Sequence, residues 1–122
     1  TSKALFGFFN DIPEESQILV SDVVDFISEY RVFVWKGKMV GCKHYLGDYE
    51  KLPNFKTIQR IIKAYKNAPI SYSLDVGITE EKKTLIVELN DCYALGTYGL
   101  DSCIFAMMLS NRWFQIIRSN EI

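Results

Sequence analysis

Two strand-like segments joined by a short charged turn set the strongest constraint on this fold. The later segment, Thr84–Asp91, is rich in the β-branched and aliphatic residues that favour strands. Successive side chains of a strand point to opposite faces. Alternation assigns Leu85, Val87 and Leu89 to one face, and Ile86, Glu88 and Asn90 to the other. A carboxylate and an amide therefore project from a strand that otherwise has the composition of a buried core strand.

The earlier segment, residues 70–77, also alternates between polar and apolar side chains. Tyr72, Leu74 and Val76 share one face, and Asp75 lies on the other. Because only the charged residues 79–83 separate the two segments, we expect them to pair as an antiparallel hairpin. Asp75 and Glu88 lie at comparable distances from this turn, so they are predicted to face each other across the hairpin.

Two facing carboxylates repel each other unless a cation lies between them or one of them is protonated. Together with Asn90 they supply three oxygen ligands of the kind that suits Mg²⁺, which also takes waters and phosphate oxygens. The same residues fit two arrangements without a metal. Either Arg31 or Lys43 pairs with the carboxylates, or Glu88 belongs to an edge strand whose outer face is wet. The spacing leaves all three arrangements open.

The remaining segments predict further strands and two helices. Residues 18–20 form a short apolar run typical of a strand, and residues 30–35 and 39–45 flank a turn around Gly37, which predicts a hairpin. Apolar residues recur at helical spacing after Asn54, the predicted helix cap, until residues 67–69 stop the pattern. A second helix is predicted over residues 103–111, capped by Asp101 or Ser102.

Composition narrows the class of protein. The 122 residues suit a single domain spanning 1–122, and 48% hydrophobic content supplies a core. The net charge of −1 argues against a general nucleic-acid binder or a membrane-surface protein. No apolar run approaches the roughly 20 residues of a membrane helix. The three cysteines lack zinc-site spacing and are typical of reduced thiols, so we expect a cytoplasmic protein.

Several motifs in this order resemble the C-terminal half of an ATP-grasp protein. They lie in residues 28–34, 72–77, 87–91 and 95–99, and they include Asp75 and the triplet Glu88-Leu89-Asn90. Within that superfamily the chain most resembles a bacterial and phage clade marked by an arginine and two lysines. The resemblance implies an α+β fold, with an antiparallel sheet flanked by helices. It also implies an ATP- and Mg²⁺-dependent ligase that activates a carboxylate as an acyl phosphate, which an amine or a thiol then attacks.

The resemblance also assigns roles to individual residues. Asp75, Glu88 and Asn90 match the ligands that hold Mg²⁺ against the ATP phosphates, and Arg31 matches a catalytic arginine that contacts the transferring phosphate or the acceptor carboxylate. Residues 19–23 resemble the adenine hinge, so Leu19, Val20 and Asp22 are candidate nucleotide-binding residues, with Asp22 directed at the ribose. Lys3 corresponds to one phosphate-binding lysine of the clade, and Lys43 is a further candidate cofactor-binding residue.

The resemblance begins inside the smaller nucleotide-binding lobe, because Thr1 falls within a motif. We therefore expect a fragment of a longer protein that is inactive by itself, with a degenerate natural half as the alternative. Apolar surface exposed by the absent lobe predicts a homo-oligomer. Two functions stay open: part of a ligase that acts on a small-molecule or peptide carboxylate, and a non-catalytic α+β interaction module in which Asp75 and Glu88 are only paired with Arg31 or Lys43.

Overall fold

The computed structural model describes Pro13, residues 15–18 and residues 20–119, and it has the predicted α+β architecture. In chain order the elements are β1 (Ser28–Trp35), β2 (Lys38–Gly47), α1 (Phe55–Ala64), β3 (Ser71–Ile78), β4 (Thr84–Asp91) and α2 (Ser102–Ser119). The four strands form one antiparallel sheet in the order β2-β1-β3-β4. Within the described residues, neither helix is long and apolar enough to cross a membrane.

The predicted hairpin of β1 and β2 is confirmed, and its connection is a two-residue turn. Lys36 and Gly37 both have positive φ angles, of 52° and 71°. Two such residues are typical of the type I′ turn, whose twist matches the twist of paired strands. Glycine at the second position accommodates this conformation without steric cost.

Helix α1 covers one face of the sheet. Its predicted cap is confirmed, because the Asn54 side chain accepts a hydrogen bond from the Thr57 backbone at 3.1 Å. Ile58 is completely buried beneath it, and burial of such a side chain contributes about 1.5 to 3 kcal/mol. The buried side chains of this layer are Tyr30, Val32, Val34, Ile58, Tyr72, Leu74, Val76 and Ile78.

Helix α2 covers part of the opposite face and is longer than predicted. It runs through Ser119 rather than ending at Asn111, since no glycine or proline interrupts residues 102–119. Asp101 provides the cap, because its carboxylate accepts hydrogen bonds from the backbone N–H groups of Cys103 and Ile104, both at 3.0 Å. Met108 anchors the helix in a second core that contains Phe33, Cys92 and Leu100.

The strand predicted over residues 18–20 is wrong for the two described residues of that segment. Ile18 and Val20 belong to no strand and are 74% and 80% exposed. A short apolar run forms a stable strand only when it pairs within a sheet. Every neighbour in the described sheet is another of the four strands, so this run lacks a pairing partner there.

Strand β4 is an edge strand that contains a β-bulge, and this corrects two predictions. Its apolar side chains are partly exposed, between 36% for Leu85 and 49% for Ile86, so β4 is not the buried core strand that its composition indicated. The register shifts between Val76, which pairs with Ile86, and Asp75, which pairs with Glu88. Val87 is the extra residue. Because of it, Ile86 lies on the α1 face and not beside Glu88, as regular alternation had predicted.

Candidate functional site

Four charged residues lie side by side across the uncovered end of the sheet, one on each strand. Arg31 of β1 is paired with Lys43 of β2 and with Asp75 of β3, and Asp75 is paired with Glu88 of β4. Paired residues share a face of the sheet. The row therefore has two cations on one side and two carboxylates on the other, and the predicted pairing of Asp75 with Glu88 is confirmed.

Arg31 and Asp75 form the centre of this charged row. Nε of Arg31 donates to Oδ1 of Asp75 at 2.8 Å, and Nη2 donates to Oδ2 at 2.7 Å. Both residues are buried, with 7% and 1% of their surface exposed. Burial raises the pKa of the Asp75 carboxyl above its ordinary value, the Arg31 hydrogen bonds oppose that rise, and the nearby Glu88 carboxyl adds to it. The hydrogen bond with Asp75 raises the pKa of Arg31.

Glu88 and Asn90 form the open end of the row. Oε1 of Glu88 lies 3.7 Å from Nη2 of Arg31 and accepts a hydrogen bond from Nδ2 of Asn90 at 2.9 Å. The Glu88 side chain is 54% exposed. Both side chains therefore point to the same accessible spot, next to a buried guanidinium.

The oxygen atoms at this end fit a magnesium ion. Within residues 20–119 and the few described residues before them, no three His, Cys, Asp or Glu side chains converge on one point as a metal cluster would. Mg²⁺ does not require such a cluster, since it keeps several waters and takes one or two carboxylates together with phosphate oxygens. Glu88 and Asn90 supply two hard oxygen ligands in one accessible place. Asp75 is directed at Arg31 through both of its oxygens.

The remaining predicted site residues lie in different places. Lys43 is half-buried within the charged row and forms no salt bridge with a described residue. Val20 and Asp22 are exposed in the irregular segment before β1, and none of the hydrogen bonds of the described chain connects them to the row. Lys3 and Leu19 lie outside the described residues.

Three aromatic and acidic residues around Arg31 were not predicted. The ring of Tyr98 lies over the guanidinium, with its centroid 4.5 Å from Cζ. Tyr45 packs on Tyr98 at 5.3 Å between ring centroids, and its hydroxyl donates to Glu29 at 2.6 Å. Burial and this hydrogen bond raise the pKa of Tyr45. Strand alternation from Arg31 identifies Glu29 as a neighbour on the same face, whereas no sequence pattern connects Tyr98 to β1.

Comparison with protein families gives one match. A family model for the ATP-grasp domain, the second family of its clade, matches residues 1–108. Comparison with curated proteins gives no match. The matched range includes all four strands of the sheet and every residue of the charged row.

Proposed function

Because the chain belongs to the ATP-grasp superfamily, we propose that it is part of an ATP- and Mg²⁺-dependent ligase that joins a carboxylate to an amine or a thiol. Family membership indicates an ATP-dependent ligase-type function in general terms. The magnesium ligands, the substrate class and the order of the reaction are the content of the proposal.

The observation that carries the proposal is the arrangement of Arg31, Glu88 and Asn90. A buried cation lies 3.7 Å from an accessible carboxylate, and that carboxylate is held by the neighbouring amide. Transfer of a phosphoryl group spreads negative charge over its oxygens, so a site for it requires fixed positive charge beside ligands for a divalent ion. The uncovered end of the sheet supplies both.

Each residue of the row has a distinct role in this proposal. Glu88 and Asn90 would hold Mg²⁺, with Asp75 as a third candidate ligand through the lone pairs that Arg31 leaves free. When bound, this ion neutralises and orients the ATP phosphates. Arg31 would contact the transferring phosphate, and Lys43, its neighbour across β1 and β2, would add positive charge for the remaining phosphates.

In the proposed reaction a carboxylate oxygen of the acid substrate attacks the terminal phosphorus of ATP, and ADP leaves. The resulting acyl phosphate is attacked by an amine or a thiol, phosphate leaves, and the nucleophile loses its proton. A small-molecule or peptide carboxylate is the proposed acid substrate. Roles for Lys3, Leu19, Val20 and Asp22 in binding the nucleotide remain predictions from the resemblance.

Calorimetric titration of the 122-residue chain with Mg²⁺-ATP tests the proposal. We expect saturable binding that depends on Mg²⁺ and that is weakened at least tenfold by the double substitution Glu88→Ala and Asn90→Ala. Glu80→Ala is the matched control, because Glu80 is an exposed acidic residue at the turn of the same hairpin. Absence of binding, or equal binding by the double variant, would contradict the proposal.

A further inference from the structure

The side chain of Tyr98 is held between Arg31 and a second aromatic ring. Its centroid lies 4.5 Å from Cζ of Arg31, which is the distance of a cation–π contact. On its other side it packs on Tyr45 at 5.3 Å between centroids. Tyr45 is fixed in turn by its hydrogen bond to Glu29 at 2.6 Å. The ring is therefore fixed in place, although 46% of the Tyr98 surface is exposed.

The backbone at Tyr98 has a conformation that tyrosine rarely adopts. Its φ angle is 44°, the φ angle of Gly99 is 78°, and the N–H of Leu100 donates to the carbonyl of Thr97 at 2.8 Å. This is the pattern of a type I′ turn, which prefers glycine or asparagine at both central positions. Glycine at position 98 would form the same turn with less strain. The turn alone therefore gives no reason for a tyrosine here.

Two glycines provide the space that this turn and its ring require. A Cβ atom at residue 96 would lie 3.1 Å from Cε2 of Tyr98 and 3.7 Å from Nη1 of Arg31. A Cβ atom at residue 41 would collide with the side chain of Leu100, which anchors the end of the turn in the core. Both glycines thus allow the loop to approach the sheet until the ring reaches the guanidinium.

The contacts of Arg31 leave one nitrogen for a ligand. Asp75 accepts from Nε and Nη2, Tyr98 covers one face of the guanidinium plane, and none of the described residues accepts a hydrogen bond from Nη1. We infer that Tyr98 is a positioning residue that, together with Asp75, fixes the Arg31 guanidinium so that Nη1 is presented to a polyphosphate chain. The identity of that ligand rests on the proposed function, whereas the positioning rests on the contacts above.

Two substitutions separate positioning from folding. Tyr98→Gly removes the ring and relieves the backbone, so we expect a melting temperature equal to or above that of the wild type. Tyr98→Phe keeps the ring and is the matched control, because the Tyr98 hydroxyl forms no hydrogen bond with a described residue. If Tyr98→Gly does not fold, Tyr98→Asn replaces it, since asparagine tolerates positive φ angles.

The first measurement is the side-chain ¹⁵N–¹H spectrum of Arg31 in the 122-residue chain without nucleotide. We expect separate, slowly exchanging Nη signals and ring-shifted protons in the wild type and in Tyr98→Phe, and averaged, unshifted signals in Tyr98→Gly. The second is a titration with inorganic tripolyphosphate without metal. The dissociation constant should rise about threefold to tenfold in Tyr98→Gly and remain unchanged in Tyr98→Phe.

The outcomes distinguish this inference from the proposed function. A folded Tyr98→Gly chain with wild-type Arg31 signals and wild-type tripolyphosphate affinity would overturn the inference, and so would a wild-type chain that binds no tripolyphosphate. A wild-type chain that binds tripolyphosphate through an ordered Arg31 but does not bind Mg²⁺-ATP would overturn the proposed function and support the inference.

Discussion

Two arginine–aspartate pairs in this chain have the same bonding pattern in different surroundings. Arg31 binds Asp75 through Nε and Nη2 at 2.8 and 2.7 Å, and Arg112 binds Asp91 through the same two nitrogens, each at 2.6 Å. The first pair crosses two central strands and is buried. The second connects the end of β4 to α2, and its side chains are 18% and 27% exposed. Geometry alone does not distinguish a site from a structural clamp.

The third nitrogen of each guanidinium separates the two pairs. Nη1 of Arg112 donates to the side chain of Gln115 at 2.9 Å, so all three nitrogens of that arginine are engaged within the fold. Nη1 of Arg31 has no such acceptor among the described residues, although Tyr98 covers the adjacent face. A fully bonded arginine is typical of a structural clamp, whereas an ordered arginine with unused donors is suited to bind an anion.

The two aspartates also differ in the direction of their pKa shifts. The hydrogen bond from Arg112 holds the pKa of Asp91 below its ordinary value. The pKa of Asp75 is raised instead, because burial penalises the charged form and Glu88 adds a second negative charge, against the opposing effect of Arg31. The same hydrogen bonds therefore outweigh desolvation near the surface and do not outweigh it at the centre of the sheet.

The largest expected effect on stability comes from breaking the central pair. Asp75→Ala leaves the Arg31 charge buried without its partner, which should lower the free energy of unfolding by about 3 to 5 kcal/mol. Urea unfolding at pH 7 measures this loss. Asp25→Ala, at an exposed aspartate, is the control and should change stability by less than about 0.5 kcal/mol. Equal losses in both variants would show that the central pair is not special.

A smaller and pH-dependent effect is expected for the clamp. Asp91→Asn should cost about 1 to 2 kcal/mol at pH 7, because it removes a charged acceptor from a partly exposed pair. The folded-state pKa of Asp91 is lowered, so its stabilisation is complete above the unfolded-state value of 3.8 and disappears as the pH falls through the lower folded value. Urea unfolding between pH 7 and pH 2.5 should show the two chains converging in acid. A pH-independent difference would contradict this account.

The smallest change in stability is expected when both members of the central pair are replaced. The double variant Arg31→Met and Asp75→Met exchanges a buried ion pair for apolar side chains, and its stability should return to within about 1 kcal/mol of the wild type. Binding of tripolyphosphate should be lost in the same protein. Recovery of both stability and binding would show that Arg31 is dispensable for the ligand, and recovery of neither would point to a wider loss of packing.

The sequence predicted the elements of the site better than their contacts. Alternation and a short turn were enough to pair Asp75 with Glu88. A regular hairpin with the observed pairing of Ile78 and Thr84 would place Val87 opposite Asp75, and no composition signal marks the bulge that prevents this. The arrangement in which Arg31 pairs with a carboxylate describes Asp75 well, but a separation of 44 residues along the chain hides the contact from local patterns.

Contacts contributed by loops and helices were beyond the sequence patterns. The pair of Arg112 and Asp91 depends on a helix that continues past Asn111, which apolar spacing alone did not indicate. The position of Tyr98 depends on a turn in which tyrosine is an unfavourable residue, so propensity argues against the observed conformation. In both cases a tertiary contact outweighs local preference.

The bulge at Val87 changes the phase of β4 partway along its length. Before it, even-numbered residues face α1, and after it odd-numbered residues do. Deletion of Val87 would leave the pairing of Ile86 with Val76 and of Glu88 with Asp75 intact, whereas deletion of Leu89 would turn Asn90 away from Glu88. When this strand is aligned with those of its relatives, a gap of one residue therefore belongs at position 87, where chain length can vary without dispersing the charged row.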